Sequence, residues 1–288
     1  MNSSRGNGSW RGRLRTLARW TLLAWAAWLL VVNTLLYLPP TQGLVSGIRP
    51  EKFRVRWDRA WSVIPFHVTP RGVFANGNAK RQMWQLEAAT VSGFINPVPL
   101  LWKTVDLHAV DGMDVDYRQR PRPLPDRDHS DIEAFFPDIE GRPVTPADTS
   151  PYRSSRPWRV VVNAVEISGR STYWVYQLQG AARGRLSGDL EYVTRGGPLR
   201  LDVHEFDLEF ESNRLNGNRV VFEHARARGS LGFAPFRPRE DKGLALLRVL
   251  SFDLDTDVDL DSLAFLGVFL LNFGDVAVDG SGQVVGRL

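Results

Sequence analysis

The chain has 288 residues, 43% of them hydrophobic and 24% charged, enough for one or two domains with a real core. It contains no cysteine, which excludes disulfides and cysteine-ligated metal. A net charge of +4 would suit a nucleic-acid binder, but five arginines of residues 1–19 (Arg5, Arg11, Arg13, Arg15, Arg19) stand there without an acid, and +4 − 5 leaves −1 for the rest, so no nucleic-acid partner is expected.

That basic tail, residues 1–19, precedes WTLLAWAAWLLVVNTLLYL, residues 20–38. The stretch holds no charge and is long enough to cross roughly 30 Å of hydrocarbon as a helix. Trp20 and Tyr37 stand near its ends, where amphipathic rings prefer the interface. Asn33 is its most polar member. LPPTQGLVSG after it offers no good small-x-small cleavage site, so a transmembrane signal anchor is expected rather than a removed signal peptide. Arginines before the span place the N-terminus in the cytoplasm. A single-pass protein is expected, with everything after about residue 40 across the membrane, in the periplasm if that membrane is a bacterial inner membrane.

From Phe53 onward the pattern is mainly β. A first β unit, residues 39–118, carries strand signals at 55–63, 66–78, 83–95 and 104–118, with PVPLLWK (97–103) as one helical turn opened by proline. Met113, Val115 and Tyr117 alternate with Asp114, Asp116 and Arg118, which implies a wet acidic face. Residues 119–157 hold eight of the 18 prolines and read as a loop or insertion. Within them IEAFFPDI (132–139) is apolar enough to dock, most simply as a short helix on its own domain.

A second β unit, residues 158–288, continues the same extended sheet, with strand signals at 158–168, 172–193, 199–212, 218–233 and 252–261. The last of these is FDLDTDVDLD, with aspartate at 253, 255, 257, 259 and 261. An EF-hand starting at Asp253 would need Gly at its sixth position and Glu at its twelfth; these are Val258 and Ala264. The run therefore reads as a strand with one solvated face. SLAFLGVFLLNF (262–273) is apolar nearly all round and too short to span a bilayer, so it is expected to be buried or to dip into a lipid surface. Ala109-Val110-Asp111-Gly112 recurs at 277–280 after a similar apolar segment, which suggests a duplicated strand–short helix–strand unit.

Chemistry-bearing patterns are scarce. His67, His108, His129, His204 and His224 show no ligand spacing, and there is no nucleophile elbow, P-loop or dinucleotide fingerprint. Neither an enzyme activity nor a cofactor is expected. What remains is the apolar side of the strands: Trp84, Leu86, Val105, Leu107, Trp174, Tyr176, Leu178, Phe206, Leu208, Phe210, Phe252, Leu254, Val258 and Leu260. These residues line either the core of a closed β-sandwich or the open apolar face of a curved, mostly antiparallel sheet. Alternation fits both, and composition alone favours the closed core.

An arginine-flanked single span followed by long strands resembles the AsmA-like superfamily of bacterial envelope proteins, including its TamB-type members. The likeness is carried by VRWDRAW, VFANGNAKRQMWQLEAATVSGFI, PVPLLWK and VDLHAVDGMDVDYR within residues 53–118. DVDLDSLAFLGVFLLNFGDVAVDGSGQVVG looks like a later repeat of the same kind. The resemblance implies a fold similar to bridge-like lipid transfer proteins: a long sheet groove, apolar inside, that moves phospholipid or another envelope lipid or supports envelope biogenesis. The alternative is a membrane-tethered closed sandwich that scaffolds an envelope protein partner, with IEAFFPDI and the proline-rich loop as its contact surface.

Overall fold

The computed structural model describes residues 7–39, 41–43, 53–78, 82–122, 133–141, 156–237, 240–241, 248–264 and 280–287. The chain starts with one long helix, α1 (Asn7–Tyr37). Its stretch Gly12–Tyr37, mean hydropathy 1.5, is long and apolar enough to cross a membrane. The helix stops just before Pro39, as expected where a proline forces its predecessor out of the helical region.

The strands are β1 (Phe53–Arg56), β2 (Arg59–Trp61), β3 (His67–Asn78), β4 (Gln82–Asn96), β5 (Thr104–Pro121), β6 (Arg159–Val175), β7 (Leu178–Val193), β8 (Leu199–Phe210), β9 (Asn213–Leu215), β10 (Arg219–Phe222), β11 (Ala225–Phe236), β12 (Leu250–Leu260) and β13 (Gly282–Arg287). A 3₁₀ turn, Val98–Trp102, joins β4 to β5, and Pro97 caps its start as the sequence predicts. All thirteen strands belong to one sheet in the order β1-β3-β4-β5-β6-β7-β8-β11-β12-β13, with β2 on β3, and β9 and β10 prolonging the β8–β11 hairpin against β7. The fold is therefore an open, mostly antiparallel sheet, and among the described residues no second sheet closes it into a sandwich. Side by side, the strands on this path extend over about 43 Å at the usual interstrand spacing.

One pairing is parallel. β5 ends at Pro121, and β6 starts at Arg159 beside the beginning of β5, with Leu107 opposite Val162. Parallel neighbours require a long crossover. The proline-rich stretch is that crossover, a role its composition did not disclose. Its segment 133–141 lies on the sheet. The Asn76 amide donates to the Glu140 carbonyl (2.7 Å), the Glu140 N–H donates to Gln85 (2.9 Å), and the Trp174 indole donates to the Phe135 carbonyl (3.1 Å). Phe136 and Ile139 are buried there. The described part of IEAFFPDI, residues 133–139, thus docks on its own domain, leaving a helical Glu133 through a turn into irregular backbone.

The joint implied between the strand signals at 158–168 and 172–193 falls elsewhere. Gly169 lies inside β6, at φ 90°, and the hairpin turn sits at Tyr176–Gln177, with Tyr176 at φ 55°. Gly188-Asp189 is interior to β7. In both cases glycine serves a bulge or a close strand approach rather than a turn. The bulges carry positive φ at Ala109, Asp114 and Ala164, and acids satisfy the backbone donors beside them. Asp189 accepts from the Ala164 N–H at 2.7 Å, and Asp114 accepts from the Arg170 N–H at 3.0 Å. Most of SLAFLGVFLLNF and of the second Ala-Val-Asp-Gly lies outside the described residues.

Candidate functional site

Residues opposite each other in register share a face, so the pairings sort the sheet into two sides. On one side Leu86 stands opposite Tyr117, and Tyr117 opposite Tyr173. Further along, Leu186 faces Phe206, Phe206 faces Gly229, and Gly229 faces Leu254. Phe210 faces Ala225, which faces Val258, which faces Val284. This side is apolar from β3 to β13. The Trp84 indole packs against Gly77, where a Cβ would come within 2.5 Å of the ring, so glycine makes room for it.

The other side is charged, in ladders whose sign alternates. Arg183 and Arg185 of β7 reach Glu211 and Glu166 (2.9 and 3.0 Å). Arg226 and Arg228 of β11 reach Asp207 of β8 (3.6 and 2.6 Å). Arg287 of β13 reaches Asp253 (2.5 Å). Hydrogen bonds from these arginines hold Asp207 and Asp253 below the usual carboxylate range, and Arg170 does the same for Glu211. The aspartates of β12 are exposed while Leu254, Val258 and Leu260 between them are half-buried. That run is a wet strand face. Among the described residues no group of three His, Asp or Glu side chains could hold a metal ion.

Of the fourteen residues named from sequence, thirteen are half-buried, Phe252 is 52% exposed, and none is buried. A sandwich core would bury them. Among the described residues no second sheet covers the face. Trp174 departs from the expectation. It stands opposite Arg118 and Gln179 on the polar side, under the 133–141 segment. The cause is phase. Val160 and Val162 point to the apolar side, and the bulge at Ala164 shifts the alternation so that Val165, Ile167 and Tyr173 follow them. Tyr176 sits in the turn, where its hydroxyl accepts from the Gln82 amide, and Leu178 packs with it on buried Leu215 and Val221.

The sequence reading missed Tyr117, Tyr173, Val162, Ile167 and Leu186 on the apolar side. Their alternation was visible, but which side they joined depended on the bulges. It also missed the arginine ladders, although Arg-Gly-Arg at 183–185 and Arg-Ala-Arg at 226–228 carry the strand spacing. Burial pushes the Tyr173 phenol up to about 12, and its hydroxyl donates to the Asn213 amide oxygen. Tyr117 is raised by burial as well.

Taken together, the site offers a broad apolar surface bounded by water-facing charge. It suits partition of hydrocarbon, worth about 0.8 kcal/mol per buried methylene. A scan against protein-family models finds no match, and a search of curated proteins finds no similar sequence.

Proposed function

We propose that this protein is anchored in a bacterial inner membrane by α1 and binds or conducts phospholipid, or another envelope lipid, on the apolar face of a periplasmic sheet. The observation that carries the reading is the half-burial of that face across eight adjoining strands, β3 to β12, against a charged opposite face. Acyl chains lie on the apolar side and head groups stay in water. The likeness to AsmA-like envelope proteins supports the same reading. The docked crossover counts against the scaffold alternative, because Phe136 and Ile139 of IEAFFPDI are already buried on the sheet.

Leu208→Glu tests it. On an open face the carboxylate stays hydrated, so the variant keeps its fold by circular dichroism and loses most of the phospholipid that co-purifies with the wild-type chain. In a closed core the same change buries an unpaired charge and unfolds the domain. Unfolding, or unchanged lipid content in a folded variant, would refute the proposal.

A further inference from the structure

Many of the exposed large apolar side chains outside α1 gather at one rim of the sheet. The loop from β2 to β3 exposes Val63 and Ile64 (53% and 55%), and the 3₁₀ turn exposes Val98, Leu101 and Trp102, with Leu101 at 80%. WSVIPF (61–66) and PVPLLW (97–102) contain no charged residue. The Ile95 N–H donates to the Phe66 carbonyl (2.8 Å) and the Arg159 N–H to the Lys103 carbonyl (3.0 Å), so β4, the turn and the start of β6 adjoin the loop in one row.

That loop lies against the middle of α1. The Trp25 indole donates to the Val63 carbonyl (2.9 Å) and the Trp28 indole to the Ser62 hydroxyl (3.1 Å). The Asn33 amide spans both backbone groups of Ser62, donating to its carbonyl and accepting from its N–H, each at 2.8 Å. Trp28 also meets the Phe66 ring edge-on at 4.9 Å. Asn33 and Trp25 lie roughly 6 and 18 Å back from Tyr37 along the helix axis, at about 1.5 Å per residue. If α1 spans the bilayer, its partners at these depths stand in hydrocarbon.

Irregular backbone persists there only when its polar groups are satisfied. Several of the loop's polar groups meet that demand. Ser62 is fully buried, and both of its backbone groups are bonded to Asn33. The Ile64 carbonyl accepts from His67 N–H and from the Ser62 hydroxyl, and Pro65 has no N–H to satisfy. In the turn, the Leu100 and Lys103 N–H groups donate to Pro97 and Leu100 carbonyls and the Val98 N–H to the Asn96 side chain. Lys103 closes the turn, where its stem can reach back to the head groups.

We infer that loop 62–66 and the Val98–Trp102 turn are immersed in the acyl region of the bilayer that α1 crosses, on its non-cytoplasmic side, so that the sheet's apolar face opens directly onto lipid chains. The inference rests on the membrane anchoring proposed above, and immersion holds whether or not the sheet carries lipid.

The absence of cysteine makes the test direct. Single variants Ile64→Cys, Leu101→Cys and, on the charged face, Asp257→Cys are labelled with an environment-sensitive fluorophore. The full chain is reconstituted in vesicles of phosphatidylethanolamine and phosphatidylglycerol carrying a nitroxide on the acyl chain. Immersion gives blue-shifted emission at 64 and 101 and nitroxide quenching several-fold stronger than at 257, while aqueous iodide quenches only 257. Iodide quenching with no nitroxide effect at either 64 or 101 would overturn it. Immersed probes together with a lipid-free sheet would leave this inference standing and remove the lipid-carrying role.

Discussion

Single residues decide how the two faces of the sheet are kept apart. Asn33 is the most polar member of the apolar span, and the structure gives it the backbone of Ser62 as partner. Nothing local in the sequence could pair those two positions. Tyr173 is the clearest titratable case. Burial raises its phenol from an ordinary 10.0 to about 12, so the folded chain holds the proton more tightly than the unfolded chain does. The resulting stabilisation is complete below pH 10 and is lost as pH rises towards 12. Tyr173→Phe should therefore flatten the fall in thermal stability over that interval. At neutral pH it should cost about 1 kcal/mol for the hydrogen bond to Asn213. Melting curves of the two proteins against pH check this, and equal alkaline slopes would contradict it.

At the scale of elements, most strands were legible and their phase was not. Alternation identified β3, β4, β5, β8 and β12 to within a few residues. It assumed an unbroken period of two, and the bulges at Asp114 and Ala164 break that period. Met113 and Trp174 consequently fall on the side opposite to the one that simple counting gives. The crossover was recognised as an irregular stretch, but its return path required the pairing of β5 with β6, a long-range fact. Its anchor on the sheet is Arg120, whose side chain is almost fully buried and donates to the Pro137 carbonyl (3.2 Å) and to Glu133 (2.8 Å). Arg120→Ala should weaken docking of segment 133–141 by about 2 kcal/mol, the usual cost of losing hydrogen bonds to a charged group. Hydrogen exchange at Phe136 and Glu140 would show it as at least a tenfold loss of protection while β7 and β8 keep theirs. Unchanged protection would mean that Phe136 and Ile139 hold the segment without the guanidinium.

For the whole molecule, the sequence could not choose between a closed core and an open face, because both produce the same alternation. Composition pointed to the closed core, and the sheet is open. The choice depends on what lies over the apolar side, which is a matter of topology: all thirteen strands join one sheet and leave no second one to pack against it among the described residues. The alternating charge ladders keep the opposite face hydrated and give the sheet a single apolar side. Leu208 and Asp207 are chain neighbours on opposite faces, Leu208 opposite Gly184 and Asp207 opposite Arg185. That adjacency permits a measurement in intact cells. A photo-crosslinking amino acid is placed at position 208 or at 207 of the full chain, and adducts are identified by mass spectrometry. Lipid carriage on the apolar face requires phospholipid adducts at 208 and essentially none at 207. No lipid at 208, or equal yields at both positions, would contradict it.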